Sequence, residues 1–145
     1  MSDLVFVDTN VLIYAVDEAN PRKHATARTW RDELWKSHRG RLSFQVLHEF
    51  YVNVTQKYPG SRQAAQSEVR DLLAWHPVVL DETVLERGWK IQERYRLSFW
   101  DSLIVSAAKA ALCRYLLTED LQADQELDGM VVVDPFTHDP SFIGF

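Results

Sequence analysis

The sequence predicts an α/β protein built on a mainly parallel β-sheet, and three observations support that prediction. Short continuous apolar runs, such as residues 4–7 and 130–133, are typical of strands buried on both faces of a parallel sheet. These runs alternate with longer segments whose apolar residues recur at helical spacing. The chain has 145 residues, 46% of them hydrophobic, which is enough to bury one core. We therefore expect one domain over residues 1–145.

Five strands and six helices are expected along the chain. The predicted strands cover residues 4–7, 41–44, 77–80, 115–117 and 130–133. The predicted helices cover residues 11–16 (from a start at Thr9 or Asn10), 21–36, 45–56, 64–75, a segment including 84–91, and 99–113. Ligands of open α/β sheets bind at the carboxyl ends of the strands. Acids follow two of these ends, namely Asp8 and the pair Glu119 and Asp120.

Capping residues mark the predicted helix starts. Asn20 followed by Pro21 fits an N-cap and the first helical position. Ser61, Asp81 and Ser98 each precede an apolar stretch with helical spacing, so each is predicted to cap the helix that follows it.

The net charge of −5 hides an asymmetry along the chain. Residues 22–41 contain seven basic and two acidic side chains, which makes this segment +5 and the rest of the chain −10. One interpretation is a pair of oppositely charged, solvated faces. The other is an RNA-binding patch, with diffuse phosphate contacts from Arg28, Arg31 and Lys36, beside an acidic metal site.

Composition excludes several classes of protein. Cys113 is the only cysteine, so an internal disulfide and a thiolate zinc cluster are excluded. The N-terminus lacks a basic region ahead of a long apolar stretch, and no apolar run approaches the roughly 20 residues of a membrane helix. We expect a soluble cytoplasmic protein.

Four carboxylates interrupt apolar patterns. They are Asp8, after the first strand; Glu49, within an apolar helix; Asp101, in the first turn of the most apolar helix; and Asp120, after the strand 115–117. Taken singly, each has an ordinary explanation as a helix cap, a turn residue, a partner of the helix dipole or an exposed helix position.

Taken together, four carboxylates at one end of a sheet would repel one another unless a cation neutralised them. Oxygen ligands favour a hard divalent ion such as Mg²⁺ or Mn²⁺. Such an ion activates water for phosphodiester hydrolysis, and a second one stabilises the leaving oxygen. The sequence therefore predicts a metal-dependent hydrolase of phosphodiesters.

Several segments, taken in order, resemble known motifs. The chain is similar to the PIN-domain ribonucleases at VDTNVL (residues 7–12), SFQVLHEFY (43–51), FWDSLIVSAA (99–108) and LLTEDL (116–121). VVVDPF (131–136) resembles the close of VapC-type bacterial toxins, although Asp134 stands where Asn is usual. The resemblance covers residues 4–136 in the right order.

This resemblance implies a three-layer α/β/α fold and an Mg²⁺- or Mn²⁺-dependent endoribonuclease. The enzyme would be the toxin of a toxin–antitoxin pair, with RNA as substrate, a cognate antitoxin as partner and a homodimeric assembly. By position, the metal-binding and catalytic acids would be Asp8, Glu49, Asp101 and Asp120.

The resemblance also implies supporting roles around these acids. Thr9, Asn10 and Thr118 would orient the carboxylates through their hydroxyl and amide groups. Glu119 and Asp124 remain open as residues that share the role of Asp120.

Three other interpretations are distinguishable. Phosphatases of the haloacid dehalogenase class also begin with a strand and Asp, but they need a second Asp where this chain has Asn10. A non-catalytic binding module of the same fold would be expected to lose one of the four acids. A PIN nuclease of RNA maturation or surveillance usually carries further domains.

Two apolar features stay open at this point. The tail over residues 137–145 is unusually apolar and either docks on its own domain or covers a partner surface. Trp75, Trp89 and Trp100 are assigned to the core or to an interface.

Overall fold

The computed structural model describes residues 3–145, so Met1 and Ser2 of the predicted domain lie outside the described residues. The strands are β1 (Val5–Val7), β2 (Gly40–Arg41), β3 (Tyr115–Leu117), β4 (Glu126–Leu127) and β5 (Met130–Val133). The helices are α1 (Thr9–Val16), α2 (Pro21–Ser37), α3 (Phe44–Lys57), α4 (Arg62–Leu72), α5 (Glu82–Tyr95) and α6 (Phe99–Ala110). Among these helices, none has the length and apolarity needed to cross a membrane.

The five strands form one sheet in the order β2-β1-β3-β5-β4. β1 pairs in parallel with β2 and β3, and β3 pairs in parallel with β5. Helices α1 to α4 pack on one another, and α5 packs on α6. The helices flank the sheet and produce a three-layer α/β/α arrangement, which confirms the predicted fold class.

The strand register determines which residues meet at the edge of the sheet. Val7 lies beside Leu117, and Leu117 lies beside Val133. The amide of Asp8 continues the ladder by donating to the carbonyl of Leu117 at 3.0 Å. The residues that follow β1 and β3 therefore leave the sheet side by side, which positions Asp8 next to Thr118.

Two of the predicted strands were wrong. The strand over 41–44 ends at Arg41, and α3 already begins at Phe44 because the Ser43 hydroxyl accepts a hydrogen bond from the Val46 amide and caps the helix. Residues 77–80 form no strand, and only an isolated parallel bridge joins Val78 to Ser43. A single bridge is too little backbone pairing to form a strand ladder.

A short antiparallel strand, β4, was missed. Asp128 and Gly129 connect it to β5, and both have positive φ, at 52° and 88°. A two-residue Asp-Gly loop with positive φ at both positions matches the right-handed twist of a hairpin. The dipeptide was a sequence signal for this hairpin, which adds the one antiparallel edge to the sheet.

Most of the predicted caps are confirmed. The side chains of Asn20, Asp81 and Ser98 accept hydrogen bonds from backbone amides three residues further on. Ser61 makes no side-chain capping bond. The predicted helix 64–75 is α4 followed by a 3₁₀ turn at Leu73–Trp75, and the predicted helix 99–113 ends at Ala110.

The apolar tail docks on its own chain. The Trp30 indole N–H donates to the carbonyls of Pro135 and His138, both at 3.1 Å. The Arg39 guanidinium donates to the Ile143 carbonyl at 3.3 Å and lies 4.2 Å from the Phe145 ring centre. Trp30 is fully buried, so these contacts join α2 to the last residues of the chain.

Candidate active site

Asp8 stands at the end of β1, where the chain turns into α1. Its Oδ1 accepts a hydrogen bond from the Thr9 amide at 2.7 Å. Asp8 is therefore the N-cap of α1, which is one of the ordinary roles considered for each acid. Its Oδ2 accepts from the Thr118 hydroxyl at 2.8 Å. Because Asp8 is only 7% exposed, its carboxylate is held on both oxygens in a nearly dry position.

Asn10 connects the first acid to the last one. Its amide nitrogen donates to the Thr118 hydroxyl oxygen at 3.1 Å and to Asp120 Oδ2 at 3.0 Å, with a longer contact of 3.4 Å to Asp8. The Asp120 amide also donates to the Thr118 hydroxyl oxygen at 3.1 Å. Thr118 and Asn10 therefore link the side chains of Asp8 and Asp120 by hydrogen bonds.

Glu49 on α3 and Asp101 in the first turn of α6 complete the group. Burial raises the pKa of Glu49, and the charges of Asp101 and Asp120 raise it further. Burial is also the main reason why the pKa of Asp8 is raised to about 6. Hydrogen bonds from Thr118 and Thr9 oppose that rise in the pKa of Asp8, and the charges of Asp120 and Glu49 add to it.

The fold thus brings Asp8 within electrostatic range of Asp120 and Glu49, and Glu49 within range of Asp101 and Asp120. Bringing them together costs free energy, because like charges in a poorly solvated site disfavour one another's ionised form. A cation would remove that cost.

Buried oxygen atoms without hydrogen-bond partners lie beside these acids. They belong to the side chains of Thr9, Gln45 and Glu49. An unpaired buried polar atom is uncommon and calls for a partner such as an ion or a water molecule. The donor set is entirely oxygen, which is the ligand chemistry of Mg²⁺ and Mn²⁺.

The residues present therefore fit a hard divalent cation in their chemistry. Within residues 3–145, no three His, Cys, Asp or Glu side chains are already gathered tightly enough to hold a metal ion. Binding would have to draw the carboxylates inwards.

The structure separates Asp120 from the two acids that remained open. Glu119 accepts a hydrogen bond from the Lys23 ammonium at 2.7 Å. Asp124 lies 3.4 Å from the His138 ring nitrogen. Asp120 is instead the acid that Asn10 holds. Lys23 was missed as a contributor to this edge, and no local pattern around it indicated a partner 96 residues away.

Not every basic side chain of residues 22–41 is available to bind RNA. Arg31 donates twice to Glu68 Oε1, at 2.8 and 2.7 Å, and its side chain is only 10% exposed. Arg28 is half exposed and lies 3.8 Å from Asp32, whereas Lys36 is exposed. Arg31 is thus placed as a structural ion pair, which leaves Arg28 and Lys36 as the accessible members of the predicted RNA-binding set.

The fold is a three-layer α/β/α arrangement with Asp8 and Asp120 after two parallel strands and Glu49 and Asp101 on flanking helices, which defines the class of α/β proteins with an acidic site of oxygen donors. The sequence model of the PIN domain matches residues 5–125. The chain belongs to the PIN domain family. No curated protein sequence matches it significantly.

Solved structures share this fold at low sequence identity. A toxin–antitoxin complex from Klebsiella pneumoniae is 18% identical, with a TM-score of 0.64 over 90% of this chain and 97% of that one. Mycobacterium tuberculosis VapC20, described as a sarcin–ricin loop cleaving toxin, is 20% identical, with a TM-score of 0.58 over 77% and 86%. VapBC2 from Rickettsia felis, bound to a DNA fragment from its promoter, is 17% identical, with a TM-score of 0.58 over 89% and 96%.

Proposed function

We propose that this protein is a divalent-metal-dependent endoribonuclease that acts as the toxin of a toxin–antitoxin pair in the cytoplasm. The proposal is supported by the acidic group at the sheet edge, where Asn10 bridges Asp8 and Asp120, and Glu49 lies within electrostatic range of Asp8, Asp101 and Asp120. Buried side-chain oxygen atoms without hydrogen-bond partners accompany these acids. Its membership of the PIN domain family supports a nuclease.

The chain's own residues prepare this site for the cation. Asp8, Asp101, Glu49 and Asp120 would hold Mg²⁺ or Mn²⁺, which supplies a water of lowered pKa as nucleophile and stabilises the leaving oxygen. Thr118 and Asn10 hold the carboxylates of Asp8 and Asp120 in place. Fixed ligands need little reorganisation when charge develops on the substrate.

The toxin role and its partners rest on the structural relatives. Two of them are toxin–antitoxin complexes by description, and a third is described as cleaving the sarcin–ricin loop. We extend to this chain an RNA substrate, a protein antitoxin and a homodimeric assembly. Of the three predicted RNA-binding side chains, Arg28 and Lys36 are exposed and therefore accessible to phosphates.

Induced expression tests the toxin role directly. Wild-type protein should arrest growth and produce new RNA ends, whereas Asp8→Asn protein at the same level should do neither. Co-expression of a small reading frame next to the gene should restore growth, and its product should copurify with the toxin. RNA cleavage without growth arrest, and without a neutralising neighbour, would instead favour a nuclease of RNA maturation.

Metal binding should appear as a gain in thermal stability. At about 100 times its dissociation constant, Mg²⁺ should add roughly 2.7 kcal/mol to the free energy of unfolding, since it binds only the folded site. That gain corresponds to an increase in Tm of roughly 5–10 °C over EDTA. RNA cleavage should stop in EDTA.

Two variants control this experiment. Asp8→Asn should lose the gain from Mg²⁺, because a ligand charge is gone. Asp124→Asn should keep the gain, because Asp124 lies beside His138 and not among the four acids. A wild-type Tm and cleavage rate that are equal in Mg²⁺ and EDTA would contradict the metal site.

A further inference from the structure

Trp100 is exposed, although most of the helix that follows it is buried. Residues 102–108 of α6 are all buried, but the Trp100 side chain is 62% exposed. Its exposure excludes the core half of the core-or-interface prediction, and the residue stands directly before Asp101, one of the four acids of the candidate site. A large aromatic face that stays open there requires an explanation beyond core packing.

The ring forms one wall of a recess that reaches the acids. The recess has a volume of about 440 Å³ and is lined by Gln45, His48, Glu49, Leu80 and Trp100. Leu80 is 37% exposed and belongs to the segment that fails to form a strand, so it adds a second apolar wall. Glu49 is shared between the recess and the carboxylate group, so the two sites are continuous.

Two contacts hold Trp100, one to its backbone and one to its ring. Gln45, which is 6% exposed, donates from its amide nitrogen to the Trp100 carbonyl at 3.4 Å. The Phe99 ring meets the Trp100 ring edge-on, with centres 5.1 Å apart. An aromatic surface that is already positioned binds a flat partner at a low cost in conformational entropy.

We propose that this recess binds an unpaired nucleobase of single-stranded RNA next to the scissile phosphate, with the base stacked on Trp100. The inference rests on the proposed nuclease function and assigns a base-binding position beside its carboxylates. A strand whose phosphate lies at the carboxylates has its neighbouring base beside Glu49, where the open aromatic and aliphatic surface begins. Stacking on an aromatic side chain tolerates any base, because every base has a π-face.

Anisotropy of short fluorescent RNA oligomers tests the stacking site. The parent protein carries Asp8→Asn, which prevents cleavage during the measurement. Adding Trp100→Ala should weaken oligoadenylate binding about 5- to 150-fold, the range for the loss of one base–aromatic stack. Trp100→Phe should retain part of the affinity, since it keeps an aromatic face.

Two comparisons isolate the base from the phosphates. An abasic ribose-phosphate oligomer of the same length should bind the parent more weakly than oligoadenylate and should be insensitive to Trp100→Ala. Trp89→Ala is the matched control, because Trp89 on α5 is 49% exposed and lies outside the residues that line the recess. This variant should bind oligoadenylate like the parent. Should Trp100→Ala fail to fold, Trp100→Phe takes its place: it should bind oligoadenylate more weakly than the parent and the abasic oligomer equally well.

Several outcomes would overturn the proposal. Equal oligoadenylate affinity of Trp100→Ala and its parent would do so, as would an equal loss with the abasic oligomer. A shift from dimer to monomer in Trp100→Ala at unchanged RNA affinity would assign the surface to a second copy of the chain. These results leave the nuclease proposal intact. Failure of the parent to bind any RNA, with a wild type that cleaves none, would overturn the proposed function as well.

Discussion

Asp8→Asn should slow RNA cleavage by at least about a thousandfold, which corresponds to roughly 4 kcal/mol of lost transition-state stabilisation. Asn preserves the shape of the side chain, and its single amide oxygen can still accept from the Thr9 amide, whereas its NH2 group replaces the oxygen that accepts from the Thr118 hydroxyl, so that hydroxyl must reorient. What it removes is the charge that a metal cation requires. The rate of cleavage of a labelled RNA in Mg²⁺, compared with wild type at equal concentration, measures this effect.

Stability separates the loss of a ligand from the loss of the fold. In EDTA at neutral pH, Asp8→Asn should be at least as stable as wild type, because it removes a buried charge that faces Asp120 and Glu49. Asp101→Asn should lose cleavage to a similar extent. Asp101→Asn protein with wild-type cleavage would show that the catalytic site lies elsewhere.

Asp120 provides a finer test of the same site. Asp120→Asn is expected to lose cleavage too, since Glu119 is bonded to Lys23 and Asp124 lies beside His138. Neither neighbour is placed to replace the missing carboxylate. Asp124→Asn should cleave like wild type.

Arg31→Gln should destabilise the protein by about 3 kcal/mol or more while leaving the RNA affinity of the folded protein unchanged. The guanidinium and Glu68 are both largely buried and joined by two short hydrogen bonds. Removing one partner leaves the other as an uncompensated charge, which is more costly than losing the attraction itself. Urea denaturation and RNA anisotropy measure the two quantities separately.

A double variant and a surface variant control this prediction. Arg31→Met combined with Glu68→Met should recover most of the stability, since apolar side chains of similar size replace the pair. Arg28→Gln is the surface control, and its expected effects on stability and RNA affinity are the reverse of those of Arg31→Gln. It should leave the free energy of unfolding almost unchanged, because Arg28 is half exposed. It should also flatten the salt dependence of RNA affinity if it contacts a phosphate. Weaker RNA binding by fully folded Arg31→Gln would contradict the structural assignment of Arg31.

Local sequence signals were sufficient wherever the deciding interaction is local. The alternation of apolar runs and helical spacing predicted the sheet and its helices. Asn20, Asp81 and Ser98 were recognised as caps because a cap bonds to amides within its own first turn. The predicted strand over residues 41–44 was wrong because a strand signal and a helix-cap signal overlap there. Ser43 caps α3, so the strand ends before it. The Asp128-Gly129 hairpin was equally local, but its signal was overlooked.

By itself, the sequence determined that four carboxylates interrupt apolar segments near strand and helix ends, which was enough to propose an acidic site. Only the tertiary structure decided which groups partner one another. Lys23 holds Glu119 from 96 residues away, and Glu68 holds Arg31 from 37 residues away. The placement of Trp100 beside Glu49 likewise depends on tertiary structure, because it brings the first turn of α6 to Gln45 and Glu49 of α3, which are more than 50 residues away in the sequence. Long-range pairings depend on which faces of the helices and the sheet pack together. The spacing of residues along one segment does not determine which distant segment packs on it.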